Sequence, residues 1–139
     1  MLYGIGCDLC EVARMEKSLS GPHAGTFIRR VFGPAEQAAL SLSPTSEGLP
    51  EGRKGARKAA SAAADFAAKE AFLKAAGTGL RPPFSLCEIE AVRLPSGAPE
   101  YHFSGRTAQW VQTHRLTARL SLSHDGGMAL AFCTLETAT

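Results

Sequence analysis

Residues 56–76 constrain the fold most. The segment is rich in alanine, contains no proline or glycine, and ends at Gly77, a residue suited to closing a helix. Pro82-Pro83 then prevents the helix from resuming. This pattern predicts one long central helix.

The C-terminal part carries a strand signal of matching clarity. Leu116, Ala118, Leu120 and Leu122 alternate with Arg115, Thr117, Arg119, Ser121 and Ser123, the period of a strand with one wet face. A turn is expected at His124-Asp125-Gly126-Gly127, and 128–135 returns as an apolar strand, giving an antiparallel hairpin. Residues 86–94 and the stretch holding Tyr101 and Phe103 read as two further strands. Residues 105–114 read as a short helix carrying Trp110.

Near the start, 2–7 reads as a short strand. A helix is expected next, with Asp8 as its N-cap, Glu11 completing a capping box, and Leu9, Val12, Met15 and Leu19 as its apolar stripe. Residues 27–32 form a short apolar stretch with a basic pair, and Pro34 opens a helix to about Leu42. The composition of 43–55 is that of a mobile loop inserted within one domain spanning 1–139. Helices early and hairpins late give an α+β fold with a largely antiparallel sheet.

Fifteen lysines and arginines against thirteen acids leave a net charge of +2, far below the basic excess of a nucleic-acid binder. No apolar run approaches the ~20 residues of a membrane span. Residues 1–8 lack the basic region of a signal peptide, so a cytoplasmic protein is expected. Cys7 and Cys10 form a C-x-x-C match, but no second ligand pair accompanies them, and Cys87 and Cys133 stand alone. All four are read as small apolar residues.

Nucleophile-elbow, zinc-protease and phosphate-loop motifs are absent, and neither Gly4-Ile-Gly6 nor Gly77-Thr-Gly79 completes a dinucleotide fingerprint. Four polar residues remain. Asp8 serves equally as a helix cap. Glu70 and Lys74, one turn apart, serve equally as an exposed ion pair, as do Asp65 and Lys69. His124 serves equally as a turn residue. Together they have a chemical logic: two carboxylates suit Mg²⁺, which keeps waters and substrate phosphates in its shell, and a lysine and a histidine complement phosphate charge.

Four blocks carry a resemblance: Gly4-Ile-Gly-Cys-Asp8 through Arg14, the stretch 27–36, Phe66-Ala-Ala-Lys-Glu-Ala-Phe-Leu-Lys74 through Gly79, and Leu120-Ser-Leu-Ser-His124. In this order they resemble the holo-acyl-carrier-protein synthases, the short 4′-phosphopantetheinyl transferases. The resemblance implies an Mg²⁺-dependent transfer of 4′-phosphopantetheine from coenzyme A to a serine of apo acyl carrier protein, serving fatty-acid and lipid biosynthesis. It implies Asp8 and Glu70 as metal ligands and catalytic groups, and Lys74 against the coenzyme A pyrophosphate. It further implies coenzyme A contacts at Gly77, Gly79 and His124, with Arg14 and Arg30 toward the acidic carrier. Arg53, Lys54, Arg57 and Lys58, just before the helix block, are candidates for the 3′-phosphate or serve only loop solubility. A homotrimer with shared sites also follows from the resemblance, and Met128, Leu130 and Phe132 are expected to supply its apolar face. Asp65 departs from the family, where a basic residue is common. The rival reading is a non-catalytic coenzyme A or nucleotide-binding module, which needs no pair of carboxylates.

Overall fold

The alanine-rich segment is the middle of a 25-residue helix, α4 (Gly52–Ala76), in a computed structural model that describes residues 1–45 and 48–138. The helix begins earlier than expected, inside the stretch read as loop. Gly55 allows this, because a Cβ there would overlap the Pro50 carbonyl oxygen. Ser46 and Glu47 of that stretch lie outside the described residues. At the other end Gly77, at φ 83°, donates its N–H to the Leu73 and Lys74 carbonyls and closes the helix as expected.

A three-stranded antiparallel sheet lies across α4. Its order is β1 (Leu2–Glu11), β5 (Met128–Thr137), β4 (Leu116–Asp125). Ala129, Ala131, Cys133 and Leu135 of β5 are buried beneath the helix. Short side chains on both surfaces let the sheet approach closely. A Cβ on Gly4 would overlap the Ala75 carbonyl oxygen, and one on Gly6 that of Ala71. The other sheet face carries exposed Ile5, Leu9, Leu130 and Phe132.

The N-terminal strand overrides the expected cap. Asp8 pairs with Ala131, and pairing continues to Glu11 opposite Met128. Asp8 is therefore a strand residue, and α1 (Val12–Ser20) starts from Glu11, which makes no side-chain cap bond. Non-local ladder bonds to β5 outweigh a local capping signal worth ~1 kcal/mol. The stretch read only as apolar is α2 (Ala24–Val31), whose buried Ala24, Ile28 and Val31 share one helical face. Next comes α3 (Pro34–Leu40), ending two residues before the expected Leu42 because Ser41 turns left-handed.

Leu86 to Glu88 forms a 3₁₀ turn, so the expected strand starts later, as β2 (Ile89–Arg93). It pairs with β3 (Pro99–Phe103), and α5 (Gly105–Thr113) follows. Phe72 of α4 meets Phe84, Tyr101, Phe103 and Trp110 with ring centroids 4.9–6.3 Å apart. This aromatic group joins the hairpin and α5 to the helix, and the Tyr101 hydroxyl donates to the Ala68 carbonyl at 2.6 Å. The result is the expected α+β architecture around a long helix.

The expected exposed Asp65–Lys69 pair does not form. Both residues are buried. Lys69 pairs with Glu36 of α3, and Asp65 lies 2.9 Å from an Arg93 guanidinium nitrogen on β2. A buried charge needs a closely held partner, and other elements supply one for each. Asp65 is thereby occupied in the core.

Candidate active site

Asp8 is two residues beyond Gly6 on β1, so both face α4. Because the glycines bring this strand onto the helix backbone, Asp8 meets side chains one turn before the helix end. Lys74 Nζ lies 3.1 Å from Asp8 Oδ1 and donates to the Cys7 carbonyl at 2.9 Å. The pairing crosses from helix to strand and replaces the ion pair with Glu70 that i,i+4 spacing allowed. Glu70 is half-buried beside them. Burial pushes its carboxyl pKa up, the negative charge of Asp8 adds to the rise, and Lys74 opposes it.

Two carboxylates and a lysine therefore share one partly open electrostatic site, with the Asp8 side chain 19% and that of Lys74 56% exposed. The donor set fits Mg²⁺. It is all oxygen, and the negative charge of Asp8 raises the proton affinity of Glu70, a repulsion that a cation between them would relieve. Mg²⁺ is commonly held by one or two carboxylates while water and substrate phosphate complete its shell.

His124 lies within β4, since the strand runs to Asp125 and not to the expected turn at 124. Its Nε2 is 3.1 Å from the Ala60 carbonyl. Asp8 and Leu122 share Ala131 as their β5 neighbour, and His124 is two residues further along. Sheet spacings put it about 12 Å from Asp8. It borders a cleft of about 530 Å³ with Val12, Arg57, Ser61 and Met128. Arg57 is one of the four basic residues expected near the coenzyme A 3′-phosphate; Ser61 was not singled out from the sequence, and its i,i+4 spacing from Arg57 was the available signal.

Lys58 is elsewhere. Its Nζ donates to the Ser41 carbonyl at 3.3 Å, and it lines a second cleft of about 530 Å³ with Arg53 and Lys54. Arg57 borders both clefts. Gly77 and Gly79 have positive φ and open space where a Cβ would stand, so the chain beyond Lys74 exposes bare backbone.

Arg14 and Arg30 flank Phe27. Arg14 lines a cleft of about 160 Å³ with Leu9, Phe27 and Phe66, while Arg30 lines one of about 730 Å³ with Phe27, Leu80 and Leu86. Phe27 stacks on Phe66, one turn before Glu70. This aromatic link between the basic residues and the carboxylates was missed in the sequence because Phe27 was not recognised as helical. The cysteines are free. Cys7 and Cys10, three apart on a strand, point to opposite sheet faces and cannot grip one ion together.

The fold now has a class: the chain belongs to the 4′-phosphopantetheinyl transferase superfamily, whose family model matches residues 4–133. Its relatives are more particular. It is 39% identical over 142 residues to the holo-[acyl-carrier-protein] synthase of Zymomonas mobilis, covering 98% of this chain and 97% of the relative. Among solved structures, the holo-[acyl-carrier-protein] synthase of Neisseria meningitidis superposes with a TM-score of 0.74 at 30% identity, covering 99% of this chain and 100% of that one. The Bacillus anthracis holo-(acyl-carrier-protein) synthase in complex with CoA (3′,5′-ADP) gives 0.72 at 28% identity, covering 99% of each chain.

Proposed function

We propose that this chain acts in the cytoplasm to transfer 4′-phosphopantetheine from coenzyme A to a serine of apo acyl carrier protein, with Mg²⁺, releasing adenosine 3′,5′-bisphosphate. The observation that carries the reading is the convergence of Asp8, Glu70 and Lys74, with Lys74 Nζ 3.1 Å from Asp8 Oδ1. A non-catalytic binding module has no need of facing carboxylates.

Asp8 and Glu70 would hold Mg²⁺, which would supply neutralisation of the pyrophosphate charge. The serine oxygen forms a bond to the phosphorus bearing the pantetheine arm as the bond to the bridging pyrophosphate oxygen breaks. A carboxylate of the site, Glu70 or Asp8, is placed to accept the serine proton, directly or through water. Lys74 offsets the charge of the departing phosphate. The bare backbone at Gly77 and Gly79 admits the coenzyme closely. Arg57 and His124 face anionic parts of coenzyme A further along the helix, a role that Arg57 suits better than Lys58 by its position. Arg14 and Arg30 attract the acidic carrier, with Phe27 and Phe66 as apolar contacts between them. The exposed Ile5, Leu9, Leu130 and Phe132 favour a homotrimer closed through the outer sheet face.

The reaction is checked by following adenosine 3′,5′-bisphosphate release from coenzyme A on adding apo carrier. Release should match carrier modification one for one and vanish when the carrier serine is replaced by alanine. Binding of coenzyme A without release would favour the module instead.

A further inference from the structure

Lys69 precedes Glu70 and takes no part in the site, yet it is fully buried. Its Nζ donates to Glu36 Oε1, to the Leu86 carbonyl at 3.2 Å and to the Ile89 carbonyl at 2.6 Å, using all three ammonium protons. Glu36, also fully buried, accepts from the Gly33 N–H at 3.1 Å and the Ala91 N–H at 3.0 Å. Its own N–H donates to Glu90 Oε2 at 2.9 Å. One carboxylate and one ammonium thus tie the start of α3 and the start of β2 to the middle of α4.

Stability alone does not explain such a pair, since well-packed apolar residues of similar volume usually stabilise a core as well or better. The surrounding surface suggests what does. Ala63, Ala64, Ala67, Ala68, Ala71 and Ala75 make up much of the buried surface of α4. Methyl groups on that side offer little shape to resist rotation of the helix about its axis, which leaves the Phe72 aromatic contacts and the Lys69–Glu36 pair as the features that can fix it. A turn of about 10° moves a side chain at the helix rim by about 1 Å. A displacement of that size can cost ~10²-fold in rate.

We propose that the Lys69–Glu36 pair is a positioning device that fixes the rotation of α4, so that Glu70 and Lys74 are held facing Asp8. The proposal rests on the reading of Asp8 and Glu70 as the transfer site.

The test uses the full chain with Lys69→Met and Glu36→Gln combined, which removes both charges at similar volume and leaves one side-chain amide oxygen at position 36 to accept one of the two backbone N–H groups that Glu36 holds. Thermal unfolding, carrier KM, kcat and Mn²⁺ affinity by electron paramagnetic resonance without substrates are compared with wild type. A second variant, Glu36→Asp, keeps both charges but withdraws the carboxylate by one methylene. The expected result is folded protein with carrier KM within twofold, kcat lowered at least tenfold, and Mn²⁺ bound at least fivefold more weakly. In Glu36→Asp a smaller loss of the same kind is expected. Wild-type kcat and Mn²⁺ affinity in either folded variant would overturn the proposal, as would failure of both to fold, which would make the pair a stability element only. Absence of transfer by the wild type, or full activity of Glu70→Gln, would instead remove the underlying site reading.

Discussion

Gly6 lies so close to Ala71 that a Cβ on the glycine would overlap the alanine carbonyl oxygen, with the Ala75 nitrogen only 2.7 Å away. This strand-to-helix approach sets how near Asp8 comes to Glu70 and Lys74. A strand with ordinary side chains facing α4 would stand further off, and Lys74 could not reach both Asp8 and the Cys7 carbonyl.

Gly6→Ala should therefore separate β1 from α4. Overpacking of this kind costs ~1–3 kcal/mol, and the contact here is with rigid backbone. We expect a lower Tm together with a loss of transfer larger than the loss of folded protein. Wild-type kcat in the folded fraction would show that the close approach does not control the site.

Asp8→Asn tests the carboxylate without disturbing a cap, because Asp8 caps no helix. Its pair with the half-exposed Lys74 contributes little to stability, ~0–1 kcal/mol. The amide keeps the shape of the carboxylate but not its charge, so transfer should fall by ~10²-fold or more with Tm nearly unchanged. Glu70→Gln should act alike, and the double variant should be barely worse than either single one, because both residues serve one ion. Additive losses in kcat would assign them separate tasks.

The Asp65 carboxyl makes stability depend on pH. Burial raises its pKa from 3.8 to about 6, with the charge of Glu90 adding, while Arg93 and Lys69 pull it down. The folded protein thus binds this proton more tightly than the unfolded chain. The resulting stability is full below the unfolded value of 3.8 and is lost as pH rises toward about 6. At about 1.36 kcal/mol per unit the loss is on the order of 2–3 kcal/mol. Urea unfolding at about pH 4 and about pH 6.5 should show a smaller decline for Asp65→Asn than for wild type. Parallel declines would mean that Asp65 is ionised throughout.

The exposed outer sheet face gives a fourth expectation. Phe132→Glu should convert an assembly of about three chain masses in light scattering into monomers and reduce coenzyme A affinity with them. Leu130 and Phe132 already stand exposed on this face, so the fold itself should survive the change. A fully active monomer, or an unchanged assembly, would contradict trimer closure through this surface.

The long helix and C-terminal hairpin were legible in the sequence because each depends on local signals: alanine propensity closed by Gly77, and strict alternation from Leu116 to Leu122. Asp8 was misread as a cap because its strand extends through pairing with β5, more than a hundred residues away. Lys69 and Asp65 were misread as surface residues because i,i+4 spacing describes one helix and not the carboxylate or guanidinium that other elements bring to it. Ser61 gained meaning only when β4 set His124 beside Ala60, which also gave Arg57 a place near His124 that Lys58 lacks. Sequence spacing placed Glu70 and Lys74 one turn apart on one helix, but not the strand partner that Lys74 takes.

The most direct measurement is the intact mass of apo acyl carrier protein after incubation with coenzyme A, Mg²⁺ and this chain, beside a parallel reaction with Glu70→Gln. Wild type should add one phosphopantetheinyl group to nearly every carrier molecule, chelating the metal should stop the addition, and Glu70→Gln should leave the carrier essentially unmodified in the same time. An unmodified carrier with folded wild-type protein, or equal modification by Glu70→Gln, would contradict transfer through this site.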